Sequence, residues 1–185
     1  GLMGNPSDGF GGKTLALAVH NFAATVTLTP RPGGGVVLAP HAAHDATAFA
    51  GGLGELLVTT ERDGYYGGVR LMRATCAKFA ALCDAARVRC DGGFELAYET
   101  SVPRQVGLSG SSAIVVGTLR CLLAYHGLDA RALGLAEAHM PQVVLDVESR
   151  ELGIAAGLQD RVIQWYATRP AAPASLVHMD LATEL

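Results

Sequence analysis

The chain has no run of roughly 18 apolar residues, so nothing in its pattern calls for a membrane-spanning helix. Charge is sparse, with 17% charged residues and a formal net charge of −3. That balance offers no electrostatic footprint for nucleic acid or an anionic membrane surface. Cysteine is also scarce. Cys76, Cys83, Cys90 and Cys121 lack the Cys-x-x-Cys spacing of zinc or redox sites. Equal steps from Cys76 to Cys83 to Cys90 suggest one helix face, with Cys90 past its end. The four read as reduced, partly buried thiols of a cytoplasmic protein. The chain opens on Gly1-Leu2-Met3-Gly4, without an initiator methionine or a charged leader. The expectation is a piece of a longer protein, which leaves targeting signals open. No internal repeat is present. What the chain does have is 185 residues, half of them apolar, enough for one globular domain with a substantial core.

Along the chain, Leu15 to Thr29 is rich in Val, Thr and Ala, and Val36-Val37-Leu38 follows Pro32-Gly33-Gly34-Gly35. This reads as a β-hairpin with a loose glycine turn. A short helix is expected over Ala46 to Thr60. A better one covers Gly68 to Arg87, where Val69, Met72, Cys76, Phe79 and Cys83 recur at three- and four-residue steps. Phe94 to Val102 reads as a strand. Helical stretches follow at Ala113 to Tyr125, Ala130 to Ala138, Val143 to Leu152 and Leu158 to Ala167, before a strand over Ala174 to Leu181. The mixture argues for an α+β fold, a hairpin and mixed sheet packed against helices.

The most informative stretch is Pro103-Arg104-Gln105-Val106-Gly107-Leu108-Ser109-Gly110-Ser111-Ser112-Ala113. A glycine- and serine-rich turn entering a helix leaves backbone N–H groups unpaired where the macrodipole favours anions. Small residues let phosphates approach the backbone. No Gly-Lys-Ser/Thr follows, so this is not the usual P-loop. Phosphoryl transfer also needs metal ligands and a group that orients or deprotonates the attacking hydroxyl. Glu148, on a helical pattern, and Asp160, just after the break at Gly153 and Gly157, are candidates. Both would otherwise be solvated helix charges. His41, His44 and Asp45 have no matching ligand partners, and Trp165 and Tyr166 read as core or domain-interface residues. Tyr65-Tyr66-Gly67-Gly68 is a helix-entry turn or part of a pocket.

The order Pro-x3-Gly-Leu-x-Gly-Ser-Ser-Ala resembles the second signature of the GHMP kinases, the superfamily of galactokinase, homoserine, mevalonate and phosphomevalonate kinases. The resemblance implies a GHMP kinase N-terminal domain (ribosomal protein S5 domain 2-like), ATP as phosphoryl donor and Mg²⁺. It implies that Pro103, Gly107, Leu108, Ser109, Gly110, Ser111, Ser112 and Ala113 form the ATP cradle. Ser112 and Glu148 would hold the metal, and Asp160 would take the substrate hydroxyl's proton. Lys13 joins Asp160 as a catalytic candidate, pairing with it or with a phosphate.

Gly4-Asn5-Pro6-Ser7-Asp8, Gly12-Lys13-Thr14, Asp63-Gly64-Tyr65-Tyr66-Gly67-Gly68-Val69-Arg70 and Glu151 to Arg161 narrow the resemblance to the plant-type glucuronokinases. These phosphorylate D-glucuronate at its anomeric hydroxyl. Asp8 would then face sugar hydroxyls, or instead cap an Asx-turn. A uronate carboxylate wants a cation, best an arginine, and Lys13, Arg104 and Arg161 lie near the motifs. Galactokinase-like members carry Gly-Glu-His-Thr-Asp where this chain has Gly4-Asn5-Pro6-Ser7-Asp8, which argues against galactose. The family's third glycine-rich motif is not in the chain, so residues 1–185 are expected to be the N-terminal domain and a C-terminal domain to be its partner. The alternatives are a superfamily kinase for a neutral sugar or sugar phosphate, and a non-catalytic nucleotide- or sugar-binding module.

Overall fold

A computed structural model describes residues 1–4, 7–45, 49–63, 67–104, 106–168 and 175–181. Its frame is a three-stranded sheet ordered β2-β4-β3, built from β2 (Ala24–Pro30), β3 (Val36–Leu38) and β4 (Phe94–Thr100). β4 is the central strand, and its period-two pattern points Phe94, Leu96 and Tyr98 into the core. Against it pack α2 (Gly68–Ala86) and α3 (Gly110–His126), the latter nearly apolar all round, as suits a central helix. Gly117 lets α3 lie on the sheet, because a Cβ there would press into Val26. A second, two-stranded sheet pairs β1 (Lys13–Leu17) antiparallel with β5 (Leu176–Asp180). Ala16 and Met179 from this sheet and Leu181 just after it enclose a small core with Ile163 of α5 (Gln159–Ala167). α1 (Gly52–Asp63) precedes α2, while α4 (Met140–Asp146) runs into a π-helical turn, Val147–Glu151.

This is the expected α+β arrangement, but the hairpin is not formed as read. β2 and β3 do not pair with each other. β4 lies between them, antiparallel to β2 over seven residues and parallel to β3 over three. The glycine-rich connection is too loose to hold a tight hairpin, and the apolar face of β4 captures both strands instead. Within Ala130 to Ala138 there is no α-helix. Gly134 adopts φ 72°, the chain turns, and a 3-10 turn, Glu137–His139, leads into α4. The helix expected from Ala46 begins only at Gly52, and Ala46, Thr47 and Ala48 lie outside the described residues. Residues 64–66 of the tyrosine-glycine segment also lie outside them.

The cysteines need one correction. Cys90 does lie past the end of α2, but Cys83 and Cys90 form a disulfide across the left-handed cap residue Arg87. The turn brings the two side chains together, which linear spacing does not show. Cys76 and Cys121 are free, and burial pushes the Cys76 thiol up to about 11. Among the described residues, no helix is long and apolar enough to cross a membrane.

Candidate active site

The Ser-rich loop delivers the chain from β4 to the start of α3. Gly107 takes φ 74°, and Ser109, at the helix N-cap, takes φ 54°. The left-handed region is costly for a residue with a Cβ, so surrounding contacts must hold Ser109 there. Two do so. Ser109 Oγ donates to Asp160 Oδ2 at 2.6 Å, and Gln164 Nε2 donates to the Ser109 carbonyl at 2.9 Å. Among the described residues no side chain caps the helix start, which leaves the first-turn N–H groups of α3 able to meet an anion.

One turn further in, Ser111 Oγ donates to Glu148 Oε1 at 2.6 Å and Ser112 Oγ to Glu148 Oε2 at 2.8 Å. Glu148 lies in the π-helical turn and is fully buried, as is Ser112. π-turns are uncommon and cluster at functional sites because the extra residue re-aims a side chain. Here the Ile154 N–H closes on the Glu148 carbonyl at 2.8 Å. Arg161 offsets the buried charge, with Nε and Nη2 both 2.7 Å from Glu148 Oε2. Its Nη1 donates to the Gly157 carbonyl at 3.0 Å and stands 3.7 Å from Asp160 Oδ2. Such a charge pair is tolerable in the interior only when its hydrogen bonds are satisfied, as these are.

Asp160 begins α5 and is 27% exposed, with its Oδ1 3.1 Å from the Gly1 amino group. Asp8, in a 3-10 turn (Ser7–Phe10), accepts the Gln159 N–H at 3.1 Å and so ties the first motif to the same helix start. A Cβ at Gly157 would collide with the Asp8 carboxylate, which explains the glycine.

The structure therefore brings together Asp8, Ser109, Ser111, Ser112, Glu148, Asp160 and Arg161. Two further candidates stand apart. Lys13 pairs with Asp180 at 3.0 Å across the β1–β5 register, not with Asp160, and is 69% exposed. Arg104 donates to the His44 carbonyl at 2.7 Å. Arg161 is enclosed by Glu148 and Gly157 with 5% exposure, which suits a positioning group rather than a cation open to a substrate carboxylate. His41 and His44 stack on each other, Asp45 accepts from the Tyr98 hydroxyl and the Val69 N–H, and no metal cluster forms among the described residues. Burial and the Asp45 carboxylate raise the Tyr98 pKa. Trp165 is core.

Two cavities flank the Ser-rich loop and share Val102, Gly107, Leu108 and Ser109 as a partition. One, about 400 Å³, runs from Pro103 and Arg104 past Gly110 and Ser111 to the start of α2 at Gly67 and Gly68. The other, about 410 Å³, contains Asp160 and lies between α3, α5 and the β1–β2 connection. Sequence reasoning missed the polar residues of the second cavity, Arg120, Gln164 and Thr168. The sequence signal for two of them is the four-residue step from Asp160 to Gln164 to Thr168, which carries one face of α5 to its C-cap residue Thr168; Arg120, on α3, has none. The donor set fits Mg²⁺: a serine hydroxyl and a carboxylate oxygen are hard ligands, and this ion takes few protein ligands when phosphates and water supply the rest.

A sequence profile described as the GHMP kinases N terminal domain matches residues 70–168. Over all 185 residues the chain is 44% identical to Glucuronokinase 1 and 42% identical to Probable glucuronokinase 2 of Arabidopsis thaliana. It spans 47% of the length of each of these curated relatives. Among solved structures, a crystal structure of mevalonate kinase superposes with a TM-score of 0.60 at 15% identity, over 97% of this chain and 50% of the other. A D-glycero-D-manno-heptose 1-phosphate kinase from Bacteriodes thetaiotaomicron gives 0.56 at 18% identity, over 87% of this chain and 46% of its own. At such identities the superpositions establish the fold, and the matched profile and the Arabidopsis relatives establish the lineage. The chain belongs to the GHMP kinase family.

Proposed function

We propose that the whole protein is an ATP-dependent kinase that phosphorylates D-glucuronate at its anomeric hydroxyl, giving D-glucuronate 1-phosphate and ADP. The observation that carries this reading is the pair of serine–carboxylate contacts, Ser109 to Asp160 and Ser111–Ser112 to Glu148, on one phosphate-cradle loop. The relatives named glucuronokinase support the substrate.

Phosphoryl transfer is mainly a matter of positioning and charge neutralisation. The cavity on the Arg104 side takes the nucleotide, with its phosphates on the N–H groups of Gly110, Ser111 and Ser112. The cavity on the other side takes the sugar, with its anomeric hydroxyl at Asp160. Asp160 accepts the hydroxyl proton as the oxygen attacks the γ-phosphorus and the bond to the leaving ADP oxygen breaks. Ser112 and Glu148 are the residues that would hold Mg²⁺, whose chemistry is neutralisation of phosphate charge. Arg161 holds Glu148 in place while tying it to the Gly157–Asp160 turn. A C-terminal domain completes the nucleotide site, and the cytosol is the working compartment, although the Cys83–Cys90 bond removes the free-thiol argument for it at that pair.

ADP release by the full-length protein with Mg-ATP tests this, comparing D-glucuronate, D-galacturonate, D-glucose and D-galactose. Turnover is expected to favour glucuronate over the other three sugars by a wide margin, with D-glucose a measurable but poor substrate. A preference for a neutral sugar would keep the mechanism and reject the substrate. Silence on all four with ATP still bound would favour a binding module.

A further inference from the structure

The far end of the Asp160 cavity has chemistry that the phosphoryl-transfer machinery does not use. α5 lines this cavity with Asp160, Gln164 and Thr168, and α3 lines the facing wall with Gly117 and Arg120. Asp160 and Thr168 are two helical turns apart, ~12 Å along the axis. At the distal end, Arg120 Nε donates to Thr168 Oγ1 at 2.9 Å and Nη2 to the Trp165 carbonyl at 2.5 Å. The guanidinium lies 4.0 Å from the centre of the Trp165 ring. That ring is fixed in turn, since its Nε1–H donates to Glu137 at 2.9 Å and the residue is 1% exposed. A guanidinium spread on a rigid aromatic face keeps a set position in the cleft and loses little side-chain freedom on binding.

Between the two ends, Gln164 donates its Nε2 to the Ser109 carbonyl but leaves its own Oε1 buried without a hydrogen-bond partner. A buried acceptor without a donor is costly, and a ligand hydroxyl is the kind of group that relieves it. None of the cations singled out by the sequence opens into this cavity. Lys13 is on Asp180, Arg104 lines the neighbouring cavity, and Arg161 is on Glu148. The cavity thus has the Asp160 carboxylate at one end, with the Gly1 amino group against it, an orphaned amide oxygen in the middle and a guanidinium at the other end, and His20 also lines its wall.

We propose that Arg120 is the specificity-determining cation of the acceptor site, receiving the carboxylate of a hexuronate whose anomeric hydroxyl lies at Asp160. The inference rests on the uronate-kinase reading above. The uronate would lie along α5, with Asp160 at one end of the cavity and Arg120 at the other. Gln164 Oε1 accepts one of the intervening ring hydroxyls. Arginine's planar fork matches a carboxylate, whereas a hydroxymethyl group cannot offset a guanidinium it strips of water. Selectivity for the acid over the neutral sugar therefore resides in α3 and not in the phosphate-binding loop.

The test uses the full-length protein and its R120M, R120Q and R120K variants, with two readouts. The first is kcat/KM for D-glucuronate relative to D-glucose. The second is D-glucuronate affinity without ATP, measured by titration calorimetry. R120M is expected to lose roughly 10- to 150-fold in kcat/KM for glucuronate, the range of a charge-assisted hydrogen bond, mostly through KM, with the glucose value little changed. R120K should recover part of the loss. R120Q gives the same comparison if the methionine variant does not fold. A merely structural clamp between α3 and α5 would lower both substrates together and leave their ratio intact, and that result overturns the proposal. Wild-type turnover reports separately on the uronate reading. If wild type neither phosphorylates nor binds glucuronate, both fall. If wild type is active and the variants keep its selectivity, only Arg120 falls.

Discussion

Glu148 and Asp160 bear the same charge and each accepts a hydrogen bond from a serine of the same loop, yet the fold encloses one and opens the other. Glu148 has no exposed surface and is surrounded by Ser111, Ser112 and Arg161. Asp160 stands at a helix start with about a quarter of its side chain exposed. A buried carboxylate is a structural commitment: its counter-charge is buried with it, and neither can be removed alone. A half-open carboxylate keeps water and ligand access and carries little of the packing. The difference separates two kinds of site residue, one whose loss breaks the fold and one whose loss breaks only the chemistry.

The sharpest way to break this contrast is Glu148→Ala. It removes the partner of Arg161 Nε and Nη2 and leaves the buried guanidinium only Asp160, 3.7 Å from Nη1, as counter-charge, at a cost of about 3 kcal/mol. Thermal melts should drop by roughly 10 °C, and a drop of a degree or two would mean that Glu148 is not the structural half of the comparison. Asp160→Asn should do the reverse. We expect kcat of the full-length protein to fall roughly 10²- to 10⁴-fold, the range for a lost general base, with nucleotide affinity and melting temperature nearly unchanged. Retained turnover would remove Asp160 from the proton-accepting role.

Ser109 sharpens the comparison at smaller scale. Ser109→Gly relieves a left-handed backbone by about 1 kcal/mol and forfeits a hydrogen bond of about the same size. Its stability should therefore barely move, while Ser109→Ala, which keeps the strain and loses the bond, should melt lower. Equal melting of the two would show that the loop is unstrained.

The smallest effect lies far from both carboxylates. Burial lowers the His126 pKa below its usual value, so the unfolded chain binds the proton more readily than the folded one. Its contribution is complete above about pH 6.5 and is lost as pH falls through the lower folded value. Melts at pH 7.5 and 5.5 should show a modest loss on the acid side, reduced in His126→Phe, which keeps the ring that stacks on Phe79. An identical acid-side loss in the variant would clear His126 of the effect.

Much of the candidate site was legible because a glycine- and serine-rich helix entry is a local pattern. The loop from Pro103 to Ala113, the helix after it, and the order of Glu148 and Asp160 are all written in short segments. What was not legible depends on long-range pairing. β4 enters between β2 and β3 from more than fifty residues downstream, so no local pattern around the glycine turn could exclude a hairpin. Cys83 meets Cys90 only because Arg87 turns the chain. Arg120 and Gln164 read as ordinary helix residues until α3 and α5 are laid side by side. Lys13 shows the same limit: its motif is conspicuous, but its pairing with Asp180 comes from strand register.

The π-helical turn at Val147–Glu151 has a consequence for how the chain tolerates change. Such a turn is an α-helix carrying one surplus residue, and the surplus sets the angle at which everything beyond it leaves the helix. Deleting one residue there would return the turn to ordinary helical winding and shorten the link to Gly157, Asp160 and Arg161, so that a different residue stands where Glu148 meets Ser111 and Ser112. The number of residues between Asp146 and Gly153 is therefore constrained alongside the identity of Glu148. Substitutions in that stretch can be conservative, but a change of length cannot.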